Sequence, residues 1–67
     1  MVNLNVEKYV VTYFDKNGKG FMGSEDIPYI VDAASLHDAT VLRDRMVVSN
    51  FTNVHVQKVT TTYEIIL

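Results

Sequence analysis

"VEKYVVTYFDKNGKG", residues 6–20, sets the frame for the rest of the chain. Residues 6–14 are rich in β-branched and aromatic side chains and alternate in two sets, Tyr9, Val11, Tyr13 and Val10, Thr12, Phe14. Such a segment reads as a strand with apolar groups on both faces. Asp15, Asn17, Gly18 and Gly20 follow at once. Asn and Gly tolerate positive φ, and an Asn-Gly pair between apolar runs is hairpin chemistry. A turn that sets Phe14 and Phe21 on opposite strands is therefore expected.

Beyond the turn, "FMGSEDIPYIVDA" reads as an irregular second strand over about residues 20–31, with Ile27, Tyr29 and Val31 on one face. Gly23 and Ser24 suggest a bulge or loop, and Pro28, which has no N–H to give a ladder, belongs at a strand edge or start. "SLHDATVLRDRMVVSN" predicts a helix over about residues 36–49. Ser35 is its N-cap, with Asp38 three residues on in a variant of the capping box. Leu36, Ala39, Leu42 and Met46 fall at helical spacing, Arg43, Asp44 and Arg45 form the solvated side, and Asn50 is the stop. The remaining "FTNVHVQKVTTTYEIIL" is strand-like over about residues 52–66, and its apolar alternation shifts phase near Gln57 and Lys58.

The expected fold is a single α+β domain over residues 1–67, a two-layer ββαβ unit with a three-stranded sheet and one helix on one face. Crossing through the helix sets the last strand parallel to the second. It lies either beside the second strand or beside and antiparallel to the first. The second arrangement is preferred, because the fully alternating first strand looks most central.

Composition limits what such a chain does. Its 67 residues are 48% hydrophobic and 21% charged, with a net charge of −2 and no cysteine. That is globular composition, but ordering so short a chain costs nearly all that its apolar burial returns. Disulfides and thiolate zinc sites are excluded, which leaves a bound metal, unusually good packing or association to supplement the core. No apolar run is long enough to span a bilayer, and no signal peptide is evident, so a cytoplasmic protein is expected. Without a basic run, nothing supplies the electrostatic attraction that dominates nucleic-acid affinity.

Residues 14–31 resemble the calcium loop of the EF-hand family. Asp15, Asn17 and Asp26 stand at ligand places, Gly20 at the turn glycine, and Phe21 where a carbonyl ligand is drawn from the backbone. The resemblance implies a calcium site on Asp15, Asn17 and Asp26. Lys19, however, replaces an oxygen ligand with an ammonium, and Asp26 is shorter than the usual bidentate Glu. The flanks depart as well, with β-rich residues 9–13 in place of an entering helix and Pro28 inside the exiting one. A hairpin turn is the reading of this segment, with calcium or another ligand as the alternative function.

Other chemistry is sparse. His37 and His55 lack a third strong ligand at a recognisable spacing, so no metal site or cofactor is assigned. Asp26, Asp32, Asp38, Asp44, Glu25 and Glu64 could pair for acid–base work, but a chain this short scarcely builds a water-excluding pocket around them. Ser24, Ser35 and Ser49 lie in no nucleophile motif, and "GKGFMG" lacks the spacing of a phosphate loop. No catalytic residue is assigned, and a non-enzyme is expected. Tyr9, Tyr13, Tyr29, Phe21 and Tyr63 offer a second alternative, an aromatic sheet face binding single-stranded nucleic acid.

A single helix covers one sheet face, yet both faces carry large apolar groups. Tyr9, Val11, Tyr13, Ile27, Tyr29 and Val31 suit one face, and Val10, Phe14 and Ile30 with Ile65 or Ile66 suit the other. The uncovered face and the C-terminal "TTTYEIIL" edge point to a homodimer or another protein partner. The expected interface residues are Val10, Phe14, Ile30, Tyr63, Ile65 and Ile66. The compact chain, with its "KYVVTYFDKNGKG" hairpin and "IPYIVDAASLHDATVL" strand into helix, resembles in style the short accessory proteins of bacteriophages and prophages. That resemblance implies a protein that binds and modulates a host factor.

Overall fold

The structure, a computed structural model, describes residues 2–67. Strand β1 runs Val2–Phe14, a 3-10 turn occupies Phe21–Gly23, and strand β2 runs Tyr29–Ala33. Helix α1 (Leu36–Val48) and strand β3 (Thr52–Ile65) complete the described elements. They form an α+β fold with a three-stranded sheet in the order β2-β1-β3, both neighbours antiparallel to β1. The central place of β1 and the placing of β3 beside it agree with the preferred arrangement.

A turn forms at the expected residues, but it closes on itself and does not join two paired strands as a hairpin would. Asp15 donates its N–H to the Lys19 carbonyl at 2.7 Å, and its own carbonyl accepts from Gly18 at 3.0 Å. Gly18 takes φ of +77° to close the loop, a conformation that suits glycine. The Asp15 Oδ1 accepts from the N–H groups of Asn17 at 2.8 Å and Lys19 at 2.9 Å.

The return path departs from expectation. Instead of pairing with β1 from about residue 20, the chain folds into a small lobe: Gly20 donates to the Ser24 carbonyl at 2.7 Å, and Phe21 to the Ile27 carbonyl at 2.8 Å. Ser24 Oγ accepts from the N–H groups of Asp26 and Ile27 at 3.0 and 3.3 Å. The Ser24 hydroxyl thus competes with the ladder for backbone donors, and Pro28 has none to offer. β2 consequently starts only at Tyr29 and continues to Ala33. Phe21 stands in the 3-10 turn and not on a strand opposite Phe14, and Ile27 lies before β2.

Both ends of α1 are closed by their predicted residues. Ser35 Oγ accepts from the Asp38 N–H at 3.1 Å. At the far end Asn50 adopts φ of +69°. The Asn50 and Phe51 N–H groups then bond the carbonyls of Val47 and Met46, both at 3.1 Å, a Schellman ending. Ala39 is fully buried and Leu42 and Met46 half-buried, while Leu36, expected on the inner face, is exposed and Arg43, expected in solvent, is half-buried. Phe51 meets Tyr13 edge-on with centroids 5.2 Å apart, and Tyr13 lies 5.3 Å from Tyr29.

Val11 sits at the centre, fully buried between its register partners Val31 and Val56. Tyr9, Val11, Tyr13, Tyr29, Val31 and Ala33 share its face by alternation. On that face β2 and β3 have half-buried residues, whereas Ile30, Asp32, His55 and Gln57 on the other are exposed. The covered face is thus the one expected from the Tyr9, Val11, Tyr13 set. Near Phe14, Tyr13 faces both Asn53 and Val54, a β-bulge in which Asn53 takes φ of +49°.

Candidate interaction surface

β2 pairs with residues 9–13 of β1 only, whereas β3 follows β1 to its start. Residues 2–8 and 59–65 therefore project as a two-stranded ribbon, rung by rung from Lys8 opposite Val59 to Val2 opposite Ile65. "VNLNV", residues 2–6, supplies strict apolar–polar alternation, which is why β1 begins at Val2 and not near Val6.

Alternation sorts the ribbon into two unlike faces. On the side continuous with Tyr9 and Val11 stand Asn3, Asn5 and Glu7 with Thr60, Thr62 and Glu64. The Thr62 hydroxyl donates to Asn5 Oδ1 at 2.9 Å, and Lys58 pairs with Glu7 at 3.1 Å. The opposite side carries Val2, Leu4 and Val6 with Thr61, Tyr63 and Ile65. These apolar groups are open to solvent: Val2 is 64% exposed, Leu4 50%, Val6 43%, Tyr63 55% and Ile65 45%. Lys8 closes the patch at its inner end, 3.6 Å from Asp32 on the same face.

The phase shift near Gln57 and Lys58 now has a structural meaning. Pairing continues through it without interruption. The apolar set of β3 changes face there, from half-buried Val54 and Val56 on the covered side to Val59, Tyr63 and Ile65 on the open side.

The expected interface residues divide accordingly. Tyr63 and Ile65 lie in the ribbon patch, and Ile30 is 63% exposed on the same sheet face beside β1. Ile66 is exposed but lies past the end of β3. Phe14 is half-buried, and Val10, at 4% exposure between Asp32 and Gln57, is too enclosed to meet a partner. Val2 and Leu4 precede the expected start of the first strand at Val6, and Val6 itself stands in that strand but not among the expected interface residues.

The other candidate sites come apart in three dimensions. One carboxylate oxygen of Asp15 already holds two backbone N–H groups, and Lys19 pairs with Glu25. Among the described residues no group of three or more His, Cys, Asp or Glu side chains is placed to hold a metal ion. The five aromatics do not share a platform: Tyr9, Tyr13 and Tyr29 are on the covered face, Tyr63 on the open one, and Phe21 in the 3-10 turn. Lys8, Lys19, Lys58 and Arg43 are each paired with a carboxylate. An open concavity along α1 is lined by Val41, Asp44, Arg45, Val48 and Ser49. These residues fall on one side of one helix, and Asp44 is engaged by the Arg43 guanidinium, so no converging polar set awaits a ligand.

No helix among the described residues is long and apolar enough to cross a membrane. Comparison with known proteins matched the chain to no family model, no curated protein and no solved structure.

Proposed function

We propose that the chain is a non-enzymatic interaction module, acting in the cytoplasm, whose output is a protein–protein contact made by the open face of its ribbon. The observation that carries this reading is the sorting of the ribbon: polar groups fill one face, and Val2, Leu4, Val6, Tyr63 and Ile65 crowd the other while remaining exposed. A two-stranded ribbon standing alone is marginal in water, and a contiguous apolar patch on it marks a surface that another protein covers. Tyr63 at its centre is the residue type that anchors such contacts. The resemblance in style to bacteriophage accessory proteins is in keeping with this role.

Site-specific photocrosslinking in the native host tests the reading. A photoreactive residue at Tyr63 is expected to capture protein, and the same group at Asn5, on the polar face, is not. Capture at neither position, or equal capture at both, refutes the assignment of the contact to this face.

A further inference from the structure

Resting on that reading, we infer that the occupant of the open face is a second copy of the chain, packed ribbon on ribbon about a two-fold axis at the Leu4–Tyr63 rung. Three observations carry the inference. The first is area. A folded monomer of this mass exposes about 4,300 Å², whereas this chain exposes 5137 Å². The excess of about 850 Å² matches the roughly 800 Å² that each partner buries in a stable interface.

Shape is the second. The Cα radius of gyration is 14.8 Å, with extents of 48 × 26 × 11 Å. A compact domain of this length has a radius of about 11 Å. Among the described residues the buried apolar core is correspondingly slight, consisting of Val10, Val11 and Ala39. A chain of this size needs supplementary burial to be stable.

Self-complementarity is the third. The Leu4–Tyr63 rung is flanked by Val2–Ile65 on one side and Val6–Thr61 on the other, and no charged side chain stands on this face between them. A two-fold through the middle rung sets Leu4–Tyr63 against itself and Val2–Ile65 against Val6–Thr61, and buries no unpaired charge. Pairing through the outer edge of β3 would leave the same apolar groups in water. The face, not the edge, is therefore the contact between copies.

The test uses the full chain, which has no cysteine of its own. Light scattering at micromolar concentration is expected to give twice the chain mass of 7.6 kDa. Leu4→Asp sets two carboxylates against each other across the axis and is expected to weaken the dimer by about 100-fold. Circular dichroism of that variant reports whether the fold is kept. Independently of folding losses in that variant, Leu4→Cys is expected to form a disulfide-linked dimer on mild oxidation, and Asn5→Cys is not. A monomer at every concentration, with Leu4→Cys unlinked, overturns the inference. Capture of a different protein at Tyr63 would then leave the interaction-module reading standing, and capture of nothing would remove both. A dimer that links through Asn5→Cys, or survives Leu4→Asp unchanged in a folded variant, also overturns it.

Discussion

Gly20→Ala is a sharp probe of how the lobe before β2 is built. Gly20 is buried, and the space around it calls for glycine: an added Cβ would lie 1.9 Å from the Ile27 carbonyl oxygen and 3.0 Å from the Pro28 Cα, both backbone atoms. To admit the methyl group, the loop must open by more than an ångström. That breaks the Phe21–Ile27 bond of 2.8 Å and displaces the Gly20–Ser24 bond of 2.7 Å. Two backbone bonds at about 1 kcal/mol each, and the cost of a buried donor left unpaired, give a loss of about 2–4 kcal/mol. A chain of this length has a total stability of only about 3–10 kcal/mol. Gly18→Ala is the control. Its Cβ meets nothing within 4 Å, and the φ of +77° alone costs about 1 kcal/mol. Urea denaturation at one fixed protein concentration measures both, because the proposed dimer would make apparent stability depend on concentration. If Gly20→Ala costs no more than Gly18→Ala, the close approach of Ile27 does not govern this loop.

Two further substitutions probe the core and the turn. Val11→Ala removes the largest fully buried side chain from between Val31 and Val56 and is expected to cost about 2–3 kcal/mol by denaturant titration. Asp15→Ala removes the acceptor for the Asn17 and Lys19 N–H groups and is expected to cost about 1–2 kcal/mol. Millimolar calcium is expected to leave the melting temperature of the unmodified chain unchanged, and a clear rise would reinstate the metal reading of this loop.

Much of the fold was legible because local signals and tertiary structure agree. The Asn-Gly turn, the Ser35 cap, the Asn50 stop and the alternation of residues 9–13 each express a backbone preference that packing left undisturbed. Two features were less legible. The lobe of residues 20–28 depends on the Ser24 hydroxyl and on the approach of Gly20 to Ile27, a close approach that no periodicity encodes. The ribbon did leave a trace, the phase shift near Gln57 and Lys58, but it resembled a break in the strand. In the structure it marks where the apolar side of β3 passes from the helix-covered face to the open one. "VNLNV" carried the matching signal in β1. Its three apolar residues are too short a run to distinguish a strand start from a tail until their partners Ile65, Tyr63 and Thr61 are known.

Sedimentation equilibrium of the unmodified chain, from submicromolar concentration upward, addresses the open ribbon face most directly. The expected result is a reversible monomer–dimer equilibrium that reaches twice 7.6 kDa and goes no higher, as a closed two-fold contact requires. A single species of 7.6 kDa across the whole range would contradict it.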